Sequence, residues 1–256
     1  MTQVFYDHAV IRSLLDRFVA ADPVSGTMFG TLGPMLSASA WAGLDGDRLA
    51  VRTGAEWPVV LSGDWTDVDA LRAVAGLRGL NGRPDVVEPL VAKLHDGRRV
   101  QRMAQGLYRL EELISPTGVL GTAVRADTEH RDIAREWFNL FSVETFEHDE
   151  RDMAQVADRA ISEGLWLWLN PIGEPVSCAA RRPVAGGCAR IGPVYTPRER
   201  RGRGYGSAAT ATATADVLAD GALPVLFTDL ANQTTNKIYR AIGYGFVEER
   251  LVATFD

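Results

Sequence analysis

The segment from residue 194 to residue 207 constrains the fold of this chain more than any other stretch. It begins at the end of an apolar strand, passes through arginines interleaved with glycines, and leads into an alanine-rich helix. The first turn of a helix has unpaired N–H groups and the positive end of the helix dipole, and both suit an anion. Gly202, Gly204 and Gly206 would let the backbone approach that anion closely. The segment therefore predicts a strand, an anion-binding loop and a helix in succession.

This anion site has to be local, because the chain as a whole is acidic. Its 27 Lys and Arg residues against 33 Asp and Glu residues give a net charge of −6. Proteins that hold nucleic acid over a broad surface are usually basic, so we expect no nucleic-acid partner. The loop supplies its own positive charge through Arg198, Arg200, Arg201 and Arg203.

Other classes of protein are excluded by what the sequence lacks. No apolar run approaches the roughly 20 residues of a membrane helix, and the charged N-terminus does not resemble a signal peptide. Cys178, Cys188 and four scattered histidines have no metal-ligand spacing. We expect a cytoplasmic protein with no metal and no membrane partner, in which both cysteines are small buried residues on neighbouring strands.

The chain reads as two halves, separated where Pro116 and Gly118 interrupt the pattern. We place a domain over residues 1–116 and a second over residues 117–256. In the first half we predict a helix over 10–19, strands over 49–53 and 59–61, a helix opened by a capping box of Thr66 and Asp69, and a helix from Pro84.

The second half has a clearer order of strands and helices. We predict strands over 119–125, 165–169, 176–180, 188–195, 224–228 and 245–253, and helices over 131–146, 153–164, 204–219 and 233–241. This order is typical of an α+β fold with a mixed sheet.

Two motifs in the second half resemble a known family. Arg201-x-x-Gly204-x-Gly206 after an apolar strand is similar to the coenzyme A loop of the GNAT N-acetyltransferase superfamily. Asn232, with Tyr239 seven residues later and Gly243-Tyr244 beyond it, is similar to the family's later strand exit. The resemblance covers residues 119–256 and implies the mixed-sheet acyl-CoA N-acyltransferase fold, in two lobes. By analogy alone, residues 1–116 would be an N-terminal α/β lobe, a degenerate second copy of that fold.

The resemblance also implies roles for individual residues. The backbone of Val194, Tyr195 and Thr196 would bind the pantetheine arm, and Asn232 and Asn236 would contact it. The pyrophosphate would lie against Arg201, Gly202, Arg203, Gly204, Tyr205, Gly206 and Ser207. In a separate role, the catalytic Tyr239 would protonate the departing thiolate.

One departure from the family pattern concerns the general base. Many members carry a Glu on the strand before the loop, whereas Arg190 and its neighbours include no acidic residue. The base is therefore unassigned. Glu144, Glu147 and His148 are candidates, because the corresponding turn borders the acceptor pocket in the family.

The resemblance implies an acetyl-CoA-dependent N-acetyltransferase, with acetyl-CoA as co-substrate and the primary amine of a small molecule or peptide as acceptor. The alternative is a non-catalytic coenzyme A-binding or scaffold protein, which the absent Glu favours. The other interpretation of Tyr239 is a packing residue. For Asn232 and Asn236 it is helix capping or turn formation.

Overall fold

A computed structural model describes residues 1–145 and 152–256 of the chain. The first half contains β1 (Gln3–Phe5), α1 (His8–Ala21), α2 (Thr27–Gly30), β2 (Trp41–Asp45), β3 (Arg48–Arg52), β4 (Val59–Leu61), α3 (Val68–Arg72), β5 (Gly79–Gly82), α4 (Pro84–Leu94) and β6 (Val100–Leu110). The second contains β7 (Thr122–Arg125), α5 (Arg131–Thr145), α6 (Met153–Gly164), β8 (Leu165–Leu169), β9 (Pro175–Arg181), β10 (Cys188–Tyr195), α7 (Tyr205–Ala219), β11 (Leu223–Asp229), α8 (Gln233–Ala241) and β12 (Tyr244–Phe255).

The chain divides into two compact units. The first consists of Met1–Tyr108, Thr228–Gln233 and Phe246–Asp256, and the second of Arg109–Phe227 and Thr234–Gly245. The predicted domain boundary after residue 116 stays a prediction. The compact units do not follow it along the chain, because the last strand returns to the first unit.

The first unit is built on strands in the order β1-β2-β3-β4-β5-β12-β6. Neighbouring strands from β1 to β4 are antiparallel, β4 and β5 are parallel, and β5 and β12 are antiparallel. Its core joins apolar residues of these strands to α3 and α4, including Leu71, Leu80, Leu90 and Leu251.

Three features of the first unit differ from the predictions. Asp67 caps α3 by accepting from the backbone N–H of Ala70 at 2.9 Å, so the predicted capping box at Thr66 is wrong. The apolar residues Val74 and Leu77 also predict that this helix continues, but it ends at Arg72. Strands β1, β2 and β5 were not predicted. The sequence of β5, Gly79–Gly82, has two glycines and little strand propensity, and it is a strand because it pairs on both sides.

The second unit has strands in the order β11-β10-β9-β8-β7, in which only the β10–β11 pair is parallel. Alternation along β8 separates two layers of helices. Leu165 and Leu167 join the core formed with α5 and α6, while the indole of Trp166 donates to the Asp216 carboxylate on α7. The predicted α+β class and mixed sheet are confirmed.

The described helices include no candidate for a membrane span, because none in residues 1–145 and 152–256 is both long and apolar enough.

Candidate active site

The site begins where β10 parts from its parallel neighbour. β10 pairs with β11 from Cys188 to Ile191, and after a register irregularity its last residues, Val194 and Tyr195, pair with β9. Parallel pairing thus ends at Ile191, three residues before Val194. Among the described pairings, Val194 and Tyr195 have partners on β9 and none on β11.

A left-handed glycine starts the helix that follows. Gly204 has φ +79° and is the N-cap of α7, and its carbonyl accepts from Ala208 at 3.0 Å. The N–H groups of Tyr205, Gly206 and Ser207 precede this first helical hydrogen bond, so the helix itself offers them no acceptor. They are the donors that an anion would use at this helix N-terminus.

The glycines are needed here partly for packing. A Cβ on Gly204 would lie 2.8 Å from Cγ2 of Val119, and one on Gly206 would lie 3.1 Å from Oγ1 of Thr196. Added methyl groups at these two positions would therefore lie against protein atoms, and the role of both glycines toward a pyrophosphate stays a prediction. At Gly202, with φ +77°, nothing lies within 4 Å of the added atom.

One carboxylate binds two arginines of this loop, while Arg200 pairs with Glu174 at 3.3 Å. Glu144, near the end of α5, accepts from Nε of Arg198 at 3.1 Å and from Nη2 of Arg201 at 2.7 Å. The Tyr195 hydroxyl donates to the same carboxylate at 3.3 Å. The acid of α5 and the predicted phosphate loop therefore form one cluster, although they are more than 50 residues apart in sequence.

The charges of this cluster shift two pKa values. Partial burial, the largest single influence, raises the pKa of Glu144, but the hydrogen bonds and charges of Arg201 and Arg198 together outweigh it and lower that pKa. Burial and then the neighbouring Glu144 raise the pKa of Tyr195. Glu144 is thus a carboxylate and a weak base, and Tyr195 keeps the proton that it donates.

Tyr195 and Thr196 are fixed by neighbours in the same unit. The hydroxyl of Ser177 donates to the Tyr195 carbonyl at 3.0 Å and lies 2.8 Å from Oγ1 of Thr196. Nε of Arg201 donates to the Thr196 carbonyl at 2.9 Å. The rings of Tyr195 and Trp137 are 6.3 Å apart. The strand end that we predict to bind the pantetheine arm is therefore a well-supported segment.

The remaining loop residues are accessible. The side chain of Arg203 is exposed, as is Gly202, and Tyr205 and Ser207 are half-buried. These positions agree with a loop that presents positive charge to solvent, and their role toward a pyrophosphate stays a prediction.

Two of the three predicted residues around α8 share one buried face. Asn236 and Tyr239 are each 8% exposed and lie three residues apart on the helix. Burial raises the pKa of Tyr239 to about 12, so its phenol is protonated at neutral pH. Asn232 is exposed and belongs to the first unit, where its backbone N–H donates to Asp229 at 3.1 Å. The assigned roles of all three stay predictions.

No residue is assigned as the general base. Arg190, which pairs with Val225, and its neighbours on β10 include no acidic residue. Of the three candidates near the end of α5, Glu144 is committed to the loop arginines. Glu147 and His148 lie outside the described residues.

The two cysteines are packing residues. Cys178 and Cys188 are buried on neighbouring strands, as predicted, and burial raises the pKa of Cys178 to about 12, which suits a packing residue. Within the described part of the chain, no group of three or more His, Cys, Asp or Glu side chains is placed to hold a metal ion.

A comparison with family models identifies this part of the chain. Residues 131–244, from the start of α5 to the start of β12, match the model of the Acetyltransferase (GNAT) family. Residues 131–244 are a GNAT domain. The GNAT domain contains both motifs that suggested the family, and no comparison shows that the N-terminal half is a degenerate second copy. No curated protein matches the sequence.

Solved structures share the fold over almost the whole length of the chain. A GNAT-family acetyltransferase from Colwellia psychrerythraea has a TM-score of 0.65 at 12% identity, with 100% of both chains covered. A GCN5-related N-acetyltransferase from Kribbella flavida has a TM-score of 0.60 at 21% identity, covering 93% of this chain and 95% of its own. A Drosophila protein has a TM-score of 0.71 at 10% identity, covering 100% and 98%. At these identities the likeness is one of fold.

Sequence reasoning missed the side chains that support the GNAT loop. Ser177 on β9 and Val119 before β7 lie against this loop only because the fold brings them there, since neither carries a motif of its own. The link between Glu144 and Arg201 was missed for the same reason. Only a count of charges near the loop could have suggested that some acid must balance its arginines.

Proposed function

We propose that the GNAT domain transfers an acetyl group from acetyl-CoA to the primary amine of a small molecule or peptide. The observation that carries this proposal is the junction of β10 and α7. Parallel pairing ends at Ile191, and the chain then reaches a left-handed Gly204 that opens a 15-residue helix. Family membership of residues 131–244 supports acyl transfer as the chemistry.

The residues of this junction fit a coenzyme A pyrophosphate. First-turn N–H groups of α7 supply neutral donors, and Arg198 and Arg201 supply charge, with side chains 75% and 45% exposed. An exposed ion pair is worth little, so a polyphosphate can exchange with Glu144 for these guanidinium groups at small cost. The acidic chain thus has one positively charged loop suited to this co-substrate.

The chemistry needs a proton donor for the departing thiolate. We assign this role to Tyr239, whose buried phenol keeps its proton at neutral pH because burial raises its pKa to about 12. The acceptor amine must be neutral to attack the thioester, and its proton must leave with a base or with water. No base is assigned, because neither Arg190 nor its neighbours on the strand supply the acid of the family pattern.

That missing acid favours a second candidate function. A protein that binds coenzyme A without catalysis needs the loop and helix but no base. Glu144, paired with Arg198 and Arg201, serves loop structure equally well in such a protein. The two functions share the same binding site and differ in turnover.

Two measurements separate these functions. Acetyl-CoA should raise the melting temperature of the protein by mass action if the loop is its site. Release of free coenzyme A thiol in the presence of a panel of primary amines should then show that the protein is an enzyme. Stabilisation without thiol release from any amine class would support the non-catalytic function, and absence of stabilisation would contradict both.

A further inference from the structure

The first unit contains a buried cation that has no acidic partner. Arg52, the last residue of β3, is 5% exposed. Its Nη1 donates to the Ala75 carbonyl at 2.7 Å and its Nη2 to the Ser39 carbonyl at 3.4 Å, and both acceptors are neutral. Among the described residues, no carboxylate lies within ion-pair distance of this guanidinium, and its buried Nε has no hydrogen-bond partner.

Burying such a group is costly unless a negative charge offsets the loss of water. Burial lowers the pKa of Arg52, and the exposed Glu56 acts on it only as a nearby charge in the opposite direction. By contrast, the buried Arg250 in the same unit has the Glu248 carboxylate at 3.3 Å. Arg52 thus lacks the partner that the other buried arginine of this unit has.

A cavity has Arg52 in its wall. Its volume is about 210 Å³, and its wall includes Tyr6, Ser39, Trp41, Arg52, Ala73 and Ala75. Every residue that lines it is described, and none of them is acidic. Alanine, valine, tryptophan and tyrosine residues thus line it beside one positive charge, and about half of its surface is polar. Small-ligand sites combine apolar side chains with a few such polar groups.

We propose that this cavity binds a small carboxylate with an apolar body, with the carboxylate facing Arg52. A volume of about 210 Å³ lies below the roughly 300–1,000 Å³ of sites for drug-sized ligands, which favours a small ligand over a nucleotide. One guanidinium matches the single charge of a carboxylate, whereas a phosphate dianion would bury surplus charge among alanines. This site belongs to the first unit, and its existence does not depend on the proposed acetyl transfer.

Benzoate and its neutral isostere benzamide test the proposal on the full chain. We expect benzoate to raise the melting temperature by about 3 °C at ten times its dissociation constant, compared with sodium chloride of equal ionic strength. Benzamide should have no such effect. Calorimetric titration with benzoate should show one site per chain.

Four variants locate the binding. Ala73→Leu, at an exposed position on the wall, should fill the cavity and abolish the benzoate response, while Ala92→Leu, at an exposed position on α4, should keep it. Arg52→Gln should lose the benzoate response. If the Arg52→Gln variant does not fold, the result with Ala73→Leu tests the site instead. Arg201→Gln should leave it unchanged.

Either of two results overturns the proposal. If benzoate stabilises the protein no more than chloride, Arg52 is a structural residue that ties the Ser39 and Ala75 carbonyls together. If the response survives Ala73→Leu and disappears in Arg201→Gln, benzoate binds the loop before α7 instead.

Discussion

At the scale of single residues, the phenol of Tyr239 carries the sharpest prediction about catalysis. Tyr239→Phe removes the proton donor and keeps the buried ring, so we expect kcat to fall at least roughly tenfold. The affinity for acetyl-CoA should change much less, because the hydroxyl acts mainly in the transition state. Since burial raises the pKa of Tyr239 to about 12, ionisation of this phenol should not reduce activity between pH 7 and pH 9. Steady-state kinetics and calorimetry measure both quantities.

Tyr244→Phe is the matched control for this substitution. Tyr244 lies 6.3 Å from Tyr239, ring to ring, and is also buried, but we give it no catalytic role. Its variant should lose stability and keep kcat. If Tyr239→Phe turns over at the wild-type rate while chemistry is rate-limiting, Tyr239 is a packing residue.

Glu144 carries a prediction about binding. Glu144→Gln removes the negative charge that competes for Arg198 and Arg201, so we expect severalfold tighter binding of acetyl-CoA at low salt. The gain should shrink as salt is added. Glu136→Gln, at an exposed position on the same helix, is the control. Unchanged or weaker binding by Glu144→Gln alone would show that this carboxylate orders the arginines for the ligand rather than competing with it.

The same carboxylate predicts a pH dependence. The pKa of Glu144 is lowered in the folded state, so its ion pairs stabilise the fold above the ordinary pKa of glutamate. That contribution is lost as the pH falls through the lowered pKa. The difference in melting temperature between wild type and Glu144→Gln should therefore be larger at neutral pH than in acid, and thermal unfolding across this range measures it.

At the scale of elements, the start of α7 depends on Gly204. Gly204→Ala forces a side chain into φ +79° and brings a methyl group within 2.8 Å of Val119. We expect the helix start to shift and acetyl-CoA affinity to fall about tenfold, or roughly 1.4 kcal/mol.

Two further variants separate the causes of that loss. Gly202→Ala has a similar positive φ but no atom within 4 Å, so it should lose less. Val119→Ala added to Gly204→Ala should recover the part due to contact. Wild-type affinity in a folded Gly204→Ala variant would remove this helix start from the cofactor site.

The body of α7 is tied to the start of β12 by hydroxyl groups. Thr214 donates its single proton to the Thr210 carbonyl at 2.8 Å, so Tyr244 is the donor in the 2.7 Å contact between the two hydroxyls. Thr214→Val or Tyr244→Phe leaves a buried group without its partner and should cost about 1–2 kcal/mol of unfolding free energy. The double variant should cost less than the sum, and chemical denaturation measures each value. Strict additivity would show that the contact contributes nothing.

At the scale of the whole molecule, we expect one acetyl-CoA per chain. The first unit does contain a strand followed directly by a helix, at Gly82, Arg83 and Pro84, which we did not predict. A Cβ on Gly82 would lie 3.2 Å from both Leu61 and Val87, so this glycine serves packing. Pro84 at the helix start also removes one N–H donor. Calorimetry should therefore give a stoichiometry of one, and a value of two would reveal a second loop.

Local chemistry explains why the second half could be predicted so closely. The bounds of β10 and α8 match the prediction because their patterns are strong and glycine or proline marks their ends. The helix predicted over 204–219 begins at Tyr205 with Gly204 as its cap. Motif spacing alone identified the loop and the family to which residues 131–244 belong.

The sequence by itself determined the fold class, the order of strand, arginine- and glycine-rich loop and helix, and the family of the GNAT domain, because each depends on residues close together in the chain. Only the tertiary structure decided which groups surround them. It brought Glu144 to Arg201, placed Val119 against Gly204 and made β5 a strand despite its glycines. It also buried Arg52 beside a cavity. Contacts between distant segments arise from packing and pairing that no local pattern encodes, and they decide the charge and shape of a site.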